Sequence, residues 1–160
     1  MTTLAPGDAD HLRRAIGLAL GARERGDNPF GAVLAGGDGR VLAEGANTEY
    51  TDRDPTGHAE INLLREAGRV LDPDTLAGAT LYASGEPCAM CAGAIFWSGV
   101  GRVVYGASAG RIRELTAGAA ESPVLRLACR DVLAAGTRPT EVVGPALEAE
   151  ADRVFARSAG

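Results

Sequence analysis

The 160-residue chain contains no lysine; all sixteen of its basic residues are arginine. It has only three cysteines, two histidines and one tryptophan, and aromatic residues make up 4% of it. The missing lysine accompanies abundant Ala and Gly, the pattern of a GC-rich coding bias, and carries no functional meaning. What the arginines lack is concentration. No three stand in a row and the formal net charge is −5, so the sequence advertises no basic patch of the kind that binding to a phosphate backbone needs. Three cysteines are too few for a disulfide scaffold and point to a reducing setting. No apolar run is long enough to span a bilayer, and no charged-then-apolar leader opens the chain. A soluble cytoplasmic protein is therefore expected. Repeats, heptads and low-complexity tracts are absent, and the length suits one domain over residues 1–160.

Apolar spacing and turn residues predict helices alternating with strands. A helix starts near Asp8, with Leu12, Ile16 and Leu20 four apart on one face. Strands around Gly31–Leu34 and Val41–Ala46 flank a Gly-rich turn, Gly36-Gly37-Asp38-Gly39. A helix runs from near His58 to Gly68, followed by a strand at Thr80–Ser84, a helix from Cys88 to about Ser98 and a strand at Arg102–Gly106. After a less regular stretch come a helix about Val124–Ala135, a short strand near Glu141–Val143 and a final helix from about Ala146. The alternation implies an α/β sheet covered on both faces.

Within that order two short motifs stand thirty positions apart: His58-Ala59-Glu60 and Pro87-Cys88-Ala89-Met90-Cys91. One imidazole and two thiolates form a soft three-donor set suited to Zn²⁺, leaving the fourth position open as in a catalytic site. Cys88 and Cys91 share a face at the positive start of a helix, which favours thiolates. His58 and Glu60 point about 200° apart on a regular helix, so Glu60 is expected beside the metal rather than on it, within reach of a water. Taken singly, the histidine reads as a cap, the CxxC as a redox pair and the cysteines as small buried residues. Taken together, H-x-E followed by P-C-x-x-C is the zinc deaminase signature. A structural zinc would need a fourth protein ligand, and neither Cys129 nor His11 shows ligand spacing.

On these residues the chain resembles the cytidine deaminase superfamily, in the branch that holds bacterial guanine deaminases and tRNA wobble adenosine deaminases. The similarity runs from about Asn28 to Gly106, through Asn28-Pro29-Phe30-Gly31, Asn47, Asp54-Pro55-Thr56-Gly57-His58-Ala59-Glu60 and Glu86-Pro87-Cys88-Ala89-Met90-Cys91. The resemblance implies a three-layer α/β/α sandwich around a five-stranded mixed sheet, and a homodimer. It implies one zinc on His58, Cys88 and Cys91, with Glu60 accepting a proton from water, delivering one to the ring nitrogen and then protonating the departing amine. It also implies that Asn47 hydrogen-bonds the ring of the bound base and that the Ala59 N–H meets the ring edge.

The substrate is the open part. Phe30 and Trp97 look like the aromatic walls of the free-base guanine enzymes, although each reads equally well as a core residue. Gly101-Arg102-Val103-Val104-Tyr105-Gly106 looks more like the tRNA enzymes. Those carry a basic last helix, whereas Leu147–Phe155 here is acidic with a core-facing stripe. Glu114 or Asp131 could read a purine edge, Cys129 reads as a small buried residue, and Arg130-Asp131 as a surface pair. The expected activity is zinc-dependent hydrolytic deamination of a small aminated nucleobase, guanine first. Wobble adenosine deamination of tRNA is the alternative, with a groove lined by Arg111, Arg113, Arg153 and Arg157. A zinc-stabilised, non-catalytic subunit is the third reading, and the presence of Glu60 speaks against it.

Overall fold

Five strands form one mixed sheet in the order β2-β1-β3-β4-β5. The computed structural model describes residues 3–118 and 123–156. Strand β1 (Gly31–Ala35) pairs antiparallel with β2 (Val41–Ala46) and with β3 (Thr80–Gly85). Strands β4 (Arg102–Ala107) and β5 (Glu141–Val143) continue the sheet in parallel. β1 is buried along its whole length, because helices cover both faces of the sheet. Helix α1 (Asp8–Glu24) packs Leu12, Ala15, Ile16 and Ala19 against Val33, Tyr82 and Val104 on one face. On the other, α3 (Ala59–Val70) and α5 (Ala89–Ser98) bury Leu63, Leu64 and Ile95 against Leu34, Leu81 and Val103. The result is the expected three-layer sandwich.

Two close approaches hold the layers at the right spacing. A Cβ on Gly45 of β2 would lie 2.3 Å from the Ala59 carbonyl oxygen, and one on Gly31 would lie 2.2 Å from that of Ala15. Only a bare backbone lets α3 and α1 come this near.

Strand direction decides where the site forms. The register pairs Gly31 with Ala46 and Gly85 with Ala107. With Ala32 opposite Ala83, Phe30, Asn47, Glu86 and Ser108 gather at one sheet edge, and the Ser84 hydroxyl accepts the Gly31 N–H there at 3.0 Å. Short helices lead away from this edge at α2 (Glu49–Asp52) and α6 (Ala109–Thr116), whereas α4 (Pro73–Ala77) lies at the opposite end of the sheet, its Ala77 carbonyl against Gly101.

Several boundaries differ from the sequence expectation. Leu20 is 40% exposed, because a strict four-residue spacing drifts about 40° per step around a helix of 3.6 residues per turn. α3 runs two residues past Gly68, and α6 forms where no regular element was expected. The helix expected over Val124–Ala135 is only α7 (Cys129–Ala134). Val124, Leu125 and Leu127 are about half exposed or more, so their spacing finds no surface to pack on among the described residues. The last helix starts at Glu148 rather than Ala146, since Leu147 takes a left-handed conformation with φ 51°. Helix α8 (Glu148–Asp152) then tightens into a 3₁₀ turn over Arg153–Phe155. Its buried Ala151 and Val154 face the α1 side of the sheet. Among the described residues no helix is long and apolar enough to cross a membrane.

Candidate active site

The two motifs each place a donor at the start of a helix. His58 is the N-cap of α3, with extended backbone (φ −71°, ψ 151°), and Cys88 is the N-cap of α5 (φ −68°, ψ 172°). Neither cap side chain is spent on its own helix. They are free to turn toward each other, and Cys91, one turn into α5, joins them.

His58 Nδ1 lies 3.6 Å from Cys88 Sγ and 3.5 Å from Cys91 Sγ, and the three donor atoms all fall within 4.8 Å of one another. A tetrahedral ion with a sulfur at about 2.3 Å and a nitrogen at about 2.05 Å would hold those two atoms roughly 3.6 Å apart. The donor set therefore fits zinc in both chemistry and spacing. His58 and Cys88 are half-buried and Cys91 is buried. Hydrogen bonding to Cys88 holds the His58 ring up, at about 8. The Cys91 thiol and, against burial, the His58 ring hold Cys88 down at about 4. Donation to Cys88 and burial push Cys91 up. A cation in this nest takes the place of protons on the donor set.

Glu60, the second residue of α3, is 5% exposed, and one carboxylate oxygen is 3.5 Å from Cys91 Sγ. Burial raises its pKa above the usual carboxylate range, the shift wanted in a group that must accept a proton near neutrality. Ala59 is fully buried at the first position of α3, where a backbone N–H has no partner inside its helix.

Asn47 is 1% exposed at the end of β2. Its N–H donates to the Phe30 carbonyl at 3.0 Å, and Arg25 donates to its carbonyl at 3.1 Å. Asn62 of α3 reaches back to the Ala46 carbonyl and the Thr48 hydroxyl, both at 2.9 Å, which fixes the helix to this strand end. Phe30 is partly buried at the same edge and its ring meets Phe155 at 5.6 Å between centroids. Trp97 is elsewhere: it is 84% exposed in the last turn of α5, edge-on to Phe96. Six residues beyond Cys91 it stands about 9 Å further along the helix axis.

The other residues singled out from the sequence lie off this cluster. Glu114 is exposed and pairs with Arg111 at 3.2 Å, and Asp131 is exposed on α7. Cys129 is fully buried, and burial together with Glu86 raises its thiol to about 12. Arg130 donates to the carbonyls of Val142 and Gly144 and helps line a 440 Å³ cleft with Arg138 and Thr140. That cleft shares no residue with the His58–Cys88–Cys91 cluster. Arg157 lies outside the described residues.

Sequence reasoning missed two acidic residues. Glu86, which leads into Pro87-Cys88, accepts the N–H of Ala109 at 2.9 Å and that of Cys129 at 3.2 Å. One carboxylate thereby caps the starts of α6 and α7 and ties them to the cysteine loop. Its place directly before P-C-x-x-C was the available signal. Glu49, between Asn47 and His58, had none.

A nest of one imidazole and two thiols beside a buried carboxylate is built to activate water on a soft metal. The chain belongs to the cytidine and deoxycytidylate deaminase zinc-binding family, whose model matches residues 6–107. It is a deaminase of that family, with zinc as its cofactor. It is 40% identical over 153 residues to a probable cytosine deaminase of Schizosaccharomyces pombe, covering 94% of this chain and 91% of that one. It is 45% identical over 97 residues to the guanine deaminase of Bacillus subtilis, covering 60% of this chain and 62% of the other. The latter match spans less than two thirds of the guanine deaminase. A solved structure from work on A-to-I editing by tRNA:A34 deaminases superimposes with TM-score 0.72 at 34% identity, covering 91% of this chain and 99% of that one.

Proposed function

We propose that this protein deaminates a free aminated nucleobase, with His58, Cys88 and Cys91 holding zinc and Glu60 moving the protons. When bound, zinc supplies the Lewis acidity that brings the pKa of water toward neutrality. Glu60 takes the proton released as water attacks the amino-bearing ring carbon, and passes it to the adjacent ring nitrogen. It then takes the remaining proton of the added hydroxyl and delivers it to the amine as the C–N bond breaks, so ammonia leaves and a carbonyl remains. The Asn47 amide and the Ala59 N–H orient the ring.

The observation that carries a small neutral substrate is the charge around the cluster. The carboxylates of Glu49 and Glu60 face it, while Arg111, a cation that a tRNA groove would require, is held by Asp152 at 2.9 Å and by Glu114. A polyphosphate chain would meet like charge here. Guanine is the first ring to test, because Phe30 beside Asn47 offers a flat wall. Cytosine is the second, supported by the relative that matches along 94% of the chain. The reading includes a homodimer, since Trp97 would reach a pocket only from a neighbouring subunit. It also includes a reducing, cytoplasmic setting that keeps the three free cysteines as thiols.

The test is ammonia release by the zinc-loaded protein on guanine, cytosine, adenine, guanosine and an adenosine-bearing anticodon stem-loop. Turnover of a free base supports the proposal. Inosine formed in the stem-loop, with every base untouched and binding that weakens steeply with salt, would establish the tRNA reading instead.

A further inference from the structure

The carboxylate of Glu49 touches both halves of the site. Its Oε2 accepts from Asn47 Nδ2 at 2.6 Å and from Asn28 Nδ2 at 2.7 Å, lengths in the range of charge-assisted bonds. The Glu49 N–H donates in turn to Asn47 Oδ1 at 3.0 Å. Both ends of the Asn47 amide are therefore held by one residue, and a flipped amide would set its oxygen against the carboxylate. One Nδ2 hydrogen of Asn47 is left over for a ligand. The other oxygen, Oε1, lies 3.6 Å from His58 Nε2, on the far side of the ring from the nitrogen that faces the sulfurs. At that distance it is a charge contact rather than a hydrogen bond, between side chains that are 22% and 28% exposed. Glu49 is itself anchored, because Asp27 accepts the N–H groups of Tyr50 and Thr51 and the Thr51 hydroxyl at 2.6–3.1 Å and so pins α2.

We propose that Glu49 is a positioning residue that couples the zinc ligand His58 to the base-reading amide of Asn47, one carboxylate setting both metal geometry and ring orientation. This rests on the zinc and Asn47 roles given above. A carboxylate behind a ligating histidine fixes the ring and strengthens it as a donor, and the loss of such a partner typically costs 10–100-fold in metal affinity. The same loss would free the Asn47 amide to rotate.

Glu49→Gln tests this, since the amide keeps the size of the side chain and loses its charge. Zinc affinity, read by competition with a chromogenic chelator, should fall about 10–100-fold, and the visible absorption bands of the cobalt(II)-loaded protein should shift. KM for whichever base is turned over should rise, and by less on top of Asn47→Ala than alone, because the two residues act as a unit. An unchanged Tm of the zinc-free variant would assign these losses to the site, and Glu49→Ala should repeat them. Zinc affinity within twofold of the parent with unchanged cobalt bands would overturn the proposal, as would strictly additive KM effects with Asn47→Ala. The metal arm uses no substrate, so it stands or falls separately from the free-base reading.

Discussion

Replacing the Glu60 carboxylate with an amide keeps its shape and ends its ability to take and return a proton. Glu60→Gln is expected to lower turnover by about 10²–10⁴-fold while zinc content, measured by atomic absorption, stays at one per chain. Loss of zinc together with activity would instead make Glu60 a ligand. His58→Ala should do the reverse, emptying the zinc while leaving the secondary structure seen by circular dichroism. The residues behind these two predictions were readable as short motifs, because donor type and spacing carry the chemistry and the fold only has to bring two helix starts together. Glu49 and Asn62 were not readable. Their partners are near in sequence, but the contacts depend on how the chain turns between β2 and α3, which no periodicity encodes. Trp97 is a different case. Its residue type suggested an aromatic wall, yet its position late in α5 turns it to solvent.

At the level of elements the site depends on how closely α3 lies on β2. Gly45→Ala would drive a methyl group into the Ala59 carbonyl and Leu63 and displace the first turn of α3, which carries His58 and Glu60. We expect a stability loss of about 1–3 kcal/mol in urea unfolding, accompanied by weaker zinc binding; a silent substitution would show that the helix has room to lift. Glu86→Ala should expose the starts of α6 and α7, read as faster amide hydrogen exchange at Ala109 and Cys129. The strands and the long helices were legible, since both are patterned by burial. The less regular region after β4 was not. Ser108 caps α6 through the Arg111 N–H at 3.1 Å, a local device that outweighs the weak apolar pattern there. Val124, Leu125 and Leu127, by contrast, stay exposed and form no helix.

For the molecule as a whole, the face of the sheet opposite α3 and α5 is braced by a buried ion pair. Arg102, at the start of β4, donates to both oxygens of Asp8 at 2.8 Å, and the Tyr82 hydroxyl donates to Asp8 as well. Burial alone would raise the Asp8 pKa, but bonds from Arg102, Tyr82 and the Ala5 N–H outweigh it and hold the carboxyl below its ordinary 3.8. A carboxyl lowered in the folded state contributes stability above its unfolded pKa, and that contribution is lost as pH falls through the folded value. Asp8→Asn should therefore cost about 2–3 kcal/mol at pH 7, less than a fully buried pair because Arg102 keeps Glu141 and some water. The gap between variant and parent should narrow below pH 3.8, as denaturant midpoints at pH 7 and in acid would show. The two halves of the candidate metal site also have a consequence for the entire chain. An ion gripped by His58 and Cys88 closes a loop that contains α3, α4 and β3, so it acts as a removable cross-link on the unfolded polymer. Free zinc at a hundred times its dissociation constant would add about 2.7 kcal/mol to folding. Metal supply thus becomes a thermodynamic variable of the chain, one that sets how much of it is folded as well as how much is active.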